Sequence, residues 1–127
     1  MKRLFYVVAA VIIVMAVSCK KDSPGTPSVE TLDATEVGAS TACLNARIDF
    51  AGIRWSSFGG INYGFYWGTS ADALDEQIYA SNILNEGDSD FYATLSDLSP
   101  HTQYWYKAYM ELDGEPYSGE VKSFTTL

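Results

Sequence analysis

The sequence is poor in the residues that most chemistry requires. Its 127 residues hold one histidine, two cysteines, four prolines and eight lysines and arginines. A hydrolase built on a nucleophile, a histidine and an acid would have to use His101. No Gly-x-Ser-x-Gly elbow or cysteine–histidine pairing accompanies it, so His101 reads as an exposed turn residue. One histidine and two cysteines also fall short of a closed zinc site, and no cofactor is expected. Against the eight basic residues stand sixteen acidic ones, a net charge of −8. Such a surface repels phosphate backbones and argues against nucleic acid as a partner. No helix of useful length is legible in the apolar pattern, so strands must build the core.

The one long apolar run lies at the N-terminus. Met1, Lys2 and Arg3 precede 14 nearly unbroken apolar residues, Leu4 to Val17. That is short for a membrane span and the right size for the core of a signal peptide. Ala16, Val17 and Ser18 then lead to Cys19. This resembles the lipobox of bacterial lipoproteins, although Ala16 replaces the leucine usual there. The resemblance implies that residues 1–18 are removed and that Cys19 is acylated, anchoring the chain to a membrane. An ordinary signal peptide cut nearby is the alternative. Losing Lys2 and Arg3 takes the net charge from −8 to −10. With Cys19 lipidated, Cys43 has no partner in the chain, and no internal disulfide forms.

Residues 19–28 carry Lys20, Lys21, Asp22, two prolines and Gly25 without apolar periodicity, and read as a flexible tether. Lys20 stands where inner-membrane lipoproteins of two-membrane bacteria carry a retaining aspartate. The Lys20-Lys21-Asp22 run resembles surface-export signals of Bacteroidetes lipoproteins. These likenesses imply a lipid-anchored envelope protein at the outer membrane and facing the surface; a plain soluble spacer is the other reading of the same residues.

The remainder, residues 29–127, reads as one all-β domain. Val29 to Val37 is a first strand. In Ser40 to Asp49, Ala42, Leu44, Ala46 and Ile48 share one face, while Cys43, Asn45 and Arg47 share the other. That is the period-two pattern of a half-buried strand. Phe50 to Gly60 is a loop. Ile61 to Trp67 places Ile61, Tyr63, Phe65 and Trp67 on one face. Asp72 to Glu76 has room for a helical turn, and Gln77 to Ser81 for a short edge strand. Phe91 to Leu95 points Phe91, Ala93 and Leu95 inward. After Pro100, Tyr104, Tyr106 and Ala108 alternate along the next strand. Asp113-Gly114 is a hairpin signal, and Tyr117 to Thr125 returns as the last strand.

The spacing Leu98-x-Pro100-x-Thr102-x-Tyr104 resembles the entry to strand F of a fibronectin type III domain. Gly64-Phe65-Tyr66-Trp67-Gly68-Thr69-Ser70 is similar to a run in fibronectin-like domains of Bacteroidetes surface lipoproteins, and Ser123-Phe124-Thr125-Thr126 to the family's closing strand. The tryptophan usual on strand B is missing, which marks a divergent branch. The resemblance implies an immunoglobulin-like two-sheet sandwich of about seven strands. It also implies a tyrosine corner, with the Tyr104 hydroxyl bonded to backbone just upstream.

Two groups of residues remain as candidate sites. Glu86, Asp88 and Asp90 carry oxygens suited to calcium, but lack the full Asp-x-Asp-x-Asp-Gly loop with a distal glutamate, and read as a solvated acidic loop. Tyr66, Trp105 and Tyr109 have the parity opposite to the core residues. If the strand Ile61 to Trp67, strand C of the family, neighbours strand F after Pro100, the three form one exposed aromatic patch, with Trp55 and Phe58 in the loop before strand C. Such a patch suits sugar rings or a protein partner. The alternative is cross-strand packing, with Trp55 and Phe58 folded over the end of the core. Three functions follow: a non-enzymatic binding or spacer module for protein or glycan contacts, a carbohydrate-binding component of a glycan-uptake system, or an enzyme. The last lacks a catalytic constellation.

Overall fold

Alternating apolar residues place each strand against the same core. The computed structural model describes residues 25–54, 57–85 and 87–127. Among them are eight strands: β1 (Ser28–Thr35), β2 (Ala42–Asp49), β3 (Ile61–Gly68), β4 (Glu76–Tyr79), β5 (Asp90–Leu95), β6 (Gln103–Leu112), β7 (Glu115–Ser118) and β8 (Lys122–Thr125). They form two antiparallel sheets. One has the order β1-β2-β5; the other has the order β4-β3-β6-β7, with β8 also paired to β6. This is the expected two-sheet sandwich. On β2 and β5 the alternation is followed without exception: Ala42, Leu44, Ala46, Ile48, Phe91, Ala93 and Leu95 are all buried.

The core is threaded by aromatic rings. Phe91 of β5 meets Phe65 of β3 at 5.2 Å between centroids, Phe65 meets Tyr106 at 6.4 Å, and Tyr106 meets Phe124 of β8 at 5.9 Å. Tyr104 stacks on Phe124 at 5.6 Å. Each such pair contributes about 0.5–1.5 kcal/mol beyond the burial of its area, so the chain of rings ties both sheets together.

Two departures from the sequence reading have simple causes. The last strand is broken. Between the pairs Tyr106↔Lys122 and Tyr109↔Ser118, β6 spends two residues and the returning chain three. The extra residue is a β-bulge, which divides the segment into β7 and β8. Gly119 sits at the bulge because β1 crosses there: a Cβ on it would lie 2.4 Å from Thr31 Oγ1 and 2.7 Å from Thr31 N. The expected helical turn at Asp72 to Glu76 is instead a tight turn closed by a bridge between Ser70 and Ala73, and Glu76 already belongs to β4. Elsewhere the turn chemistry holds. Asp113 and Gly114 take φ values of 53° and 85°, the left-handed pair of a two-residue hairpin.

The two sheets are joined by polar contacts as well as by the core. The buried Thr31 hydroxyl accepts the Ala108 N–H at 3.1 Å. The Tyr106 hydroxyl donates to the Leu32 carbonyl at 2.7 Å. The free edge of β5 is covered by the chain leaving β4: Ser81 N–H donates to the Tyr92 carbonyl at 2.7 Å, and the Asn82 side chain accepts the Tyr92 N–H at 2.9 Å. Covering an edge in this way blocks pairing with other chains.

The corner before β6 is the one the Tyr104 spacing implies. Tyr104 is buried and its hydroxyl accepts the Ser99 N–H at 2.8 Å. Thr126 closes the same corner, donating to the Ser99 carbonyl at 2.6 Å and accepting the Thr102 N–H at 2.9 Å. Tyr104→Phe keeps the ring and leaves that N–H unpaired. Urea unfolding should show a loss of about 1–3 kcal/mol; an unchanged midpoint would mean the bond contributes nothing.

Tyr106 predicts an alkaline weakness. Burial, reinforced by the charge of Asp33 and opposed by a backbone hydrogen bond from Ala34, pushes its phenol up from 10.0 to about 12. Below the ordinary phenol range both folded and unfolded chains keep the proton. Between pH 10.0 and about 12 the unfolded chain ionises first, so stability falls as pH rises. Urea midpoints measured across that window should fall more steeply for the wild type than for Tyr106→Phe.

Candidate functional site

The outer face of the five-stranded sheet is built by register. β3 and β6 pair in antiparallel fashion, with Tyr66 opposite Lys107, Gly64 opposite Tyr109 and Gly68 opposite Trp105. Because Phe65 and Ala108 point into the core, these neighbours point out. β3 and β6 are therefore adjacent, and Tyr66, Trp105 and Tyr109 share one face.

The face is more closed than the sequence implied. Tyr109 is only 5% exposed and does not belong to an exposed patch. The ring of Tyr66 lies on it at 4.6 Å between centroids, tilted by 33°. Gln77 of β4, opposite Tyr66 and reaching across β3, donates to the Tyr109 hydroxyl at 2.8 Å. Burial raises the Tyr109 phenol against the opposing Gln77 bond, with Tyr79, Tyr66 and Glu111 adding smaller upward effects. Tyr66 and Trp105 are half-buried. The Lys107 ammonium stands 6.0 Å from the Tyr66 ring centroid, at the outer limit of a cation–π contact. Tyr79 is 65% exposed. Tyr66, Lys107, Leu74, Asp72 and Val121 line a shallow hollow of about 350 Å³. The surface is thus a braced aromatic ledge with one cation, seated on a buried tyrosine.

The other sequence candidates are placed as follows. Cys19, Trp55 and Glu86 lie outside the described residues. Phe58 is half-buried, 6.2 Å from the Phe50 ring. His101 is exposed in the corner, with φ of 52°. Cys43 is a half-buried thiol, its sulfur 3.8 Å from Asn45 Oδ1. Asp88 and Asp90 already have structural tasks: Asp88 Oδ2 accepts the Asn85 N–H at 2.9 Å, and Asp90 pairs with Arg47 at 2.9 Å. No group of three histidine, cysteine or acidic side chains among the described residues is placed to hold a metal ion.

Sequence reasoning missed Trp67. Its parity assigned it to the core. Yet it is only half-buried, packed against the margin of the core near the end of β3 and edge-on to Tyr104 at 5.8 Å. Its place as the last aromatic before Gly68 was the available signal.

Two antiparallel sheets, the strand order and the tyrosine corner together define a fibronectin type III-like sandwich. Comparison with solved structures gives the same answer. The sensor domain of the anti-sigma factor RsgI4 in Pseudobacteroides cellulosolvens superposes with a TM-score of 0.61 at 23% identity, covering 83% of this chain and 98% of that one. A solution structure of that sensor domain gives 0.59 at 23% identity, over 80% and 76%. The fibronectin type III domain of the human KIAA0970 protein gives 0.55 at 19% identity, over 79% and 73%. At these identities the likeness establishes the fold. No protein-family model matches the chain, and no curated protein matches it.

The buried tyrosine makes a prediction. Tyr109→Ala removes the ring beneath Tyr66 and should cost about 3–5 kcal/mol, as for a buried aromatic. Trp105→Ala, at a half-buried position, should cost clearly less. Urea midpoints for the two variants check the order; equal losses would mean that Trp105 is as structural as Tyr109.

Proposed function

We propose that this chain is a non-enzymatic, lipid-anchored envelope domain that presents the outer face of its five-stranded sheet to a protein partner. The observation that carries the binding role is the Tyr66 ring held on buried Tyr109, with Lys107 and Trp105 alongside. A braced aromatic loses little rotamer freedom on binding and offers broad apolar contact with a polar tip, the character of an interface anchor. Anchoring rests on the apolar run that ends at Ser18-Cys19. Membrane attachment through Cys19 agrees with the way the domain begins. Ser28 pairs with Asp49, and Gly25 lies against Ala51, so the tether enters at one end of the sandwich. Gly68 and Trp105 stand towards the opposite end, free of the membrane. The outer membrane, facing the surface, is the location that the residues after Cys19 favour.

The second reading is a carbohydrate-binding component of a glycan-uptake system. Half-exposed aromatics favour it, since sugar rings pack their C–H faces on such planes. An acidic chain argues against nucleic acid under either reading.

Labelled palmitate should enter the wild-type chain in cells and be absent from Cys19→Ser, which should leave the membrane fraction. Equal retention of both forms would overturn the lipid anchor.

A further inference from the structure

The end of the sandwich opposite the tether carries a hollow that the sheet-face reading does not use. It has a volume of about 310 Å³ and is lined by Trp67, Thr69, Ser70, Asp75, Glu76 and Tyr104, together with Gly68 and Ala73. We propose that it binds the ring of a neutral sugar.

A pyranose needs a flat apolar surface and fixed hydrogen-bond acceptors. Its C–H face packs against an aromatic ring, and its hydroxyls donate to fixed acceptors. Trp67 supplies the aromatic surface. It is half-buried and pinned edge-on by Tyr104 at 5.8 Å, and Tyr104 is itself locked by the Ser99 N–H, so the indole is held in place before a ligand arrives. Asp75 and Glu76 supply acceptors. Both are exposed, and no hydrogen bond or ion pair joins either side chain to another among the described residues. Carboxylates accept strong, charge-assisted hydrogen bonds from hydroxyls. The Ser70 hydroxyl accepts the Asp72 N–H at 3.3 Å, which leaves its own proton to donate to a ring oxygen or hydroxyl.

The wall is fixed as well as the floor. The chain after β3 folds back tightly, with the Ala73 N–H donating to the Ser70 carbonyl at 3.1 Å. Gly68 makes this possible: a Cβ there would stand 2.5 Å from the Ala73 carbonyl oxygen. Charge then selects the class of sugar. Two free carboxylates line the hollow, no basic residue does, and the chain carries −8 overall. A uronate or sulfated sugar would be repelled. Lys107 is the cation of the neighbouring sheet-face hollow, so the two surfaces differ in the charge they accept.

The test follows the indole N–H resonances of an isotope-labelled full chain in detergent micelles. The probes are oligosaccharides of glucan, mannan and xylan, with oligogalacturonate as the charged control. The Trp67 resonance should shift saturably with at least one neutral probe while Trp105 stays put, and oligogalacturonate should leave Trp67 unmoved. Asp75→Asn combined with Glu76→Gln, which changes only exposed side chains, should melt like the wild type and bind about tenfold more weakly. A shift confined to Trp105 would put the sugar on the sheet face and overturn the proposal while sustaining the second reading above. No Trp67 shift with any neutral probe, equal binding of oligogalacturonate, or full affinity in the double variant would each overturn it.

Discussion

A single hydroxyl, that of Thr31, sits where the two sheets meet the bulge between β7 and β8. A bulge leaves a backbone donor without its ladder partner, and a buried unpaired N–H costs about 1–3 kcal/mol. Here the Ala108 N–H is the donor, and Thr31 of the other sheet accepts it at 3.1 Å. The Ala108 carbonyl is met by the Gly119 N–H at 2.9 Å. Only a glycine at 119 lets β1 approach closely enough for the threonine to reach. Once β1 is held there, Leu32 presents its carbonyl to the Tyr106 hydroxyl, and Asp33 stands within 3.3 Å of the Lys122 ammonium. That last pair is largely exposed and adds little. The two bonds from Ala108 and Tyr106 set how β1 lies across β6.

The opposite end is held by a second polar device. Tyr104 and Thr126 satisfy the backbone of the Ser99–Thr102 corner between them, and the Leu127 N–H reaches the Gly38 carbonyl at 3.0 Å. The corner therefore fixes the start of β6, the end of β8 and the β1–β2 turn together. Trp67 leans on the same tyrosine, so the structural corner and the proposed sugar hollow share a wall. Rigidity needed for folding thereby becomes preorganisation for binding, which lowers the ordering cost of holding a ligand.

The two candidate surfaces divide by location and charge. The sheet face is broad, aromatic and carries Lys107. The end hollow is smaller, acidic and built around a tryptophan. A sandwich supports both because its strands settle the core with one side chain in two, leaving the other half of each strand and all of the loops free to vary.

Much of this was legible in the chain. Period-two alternation identified β2, β5 and the core face of β6, because one covered face and one wet face demand it. The Leu98-x-Pro100-x-Thr102-x-Tyr104 spacing pointed to the corner, and Asp113-Gly114 to the hairpin, because both depend on local backbone geometry. What alternation cannot state is how much of the outer face its neighbours cover. Tyr109 and Trp105 have the same parity on one strand. Yet Tyr109 is buried beneath Tyr66 and beside Gln77, which come from two other strands. Trp67 has core parity, yet near the end of β3 it packs only against the margin of the core and stays half-buried. The bulge at Gly119 likewise answers to β1, distant in sequence. Local patterns settled which way each side chain points; packing between strands far apart in the chain decided which of them water, or a ligand, can reach.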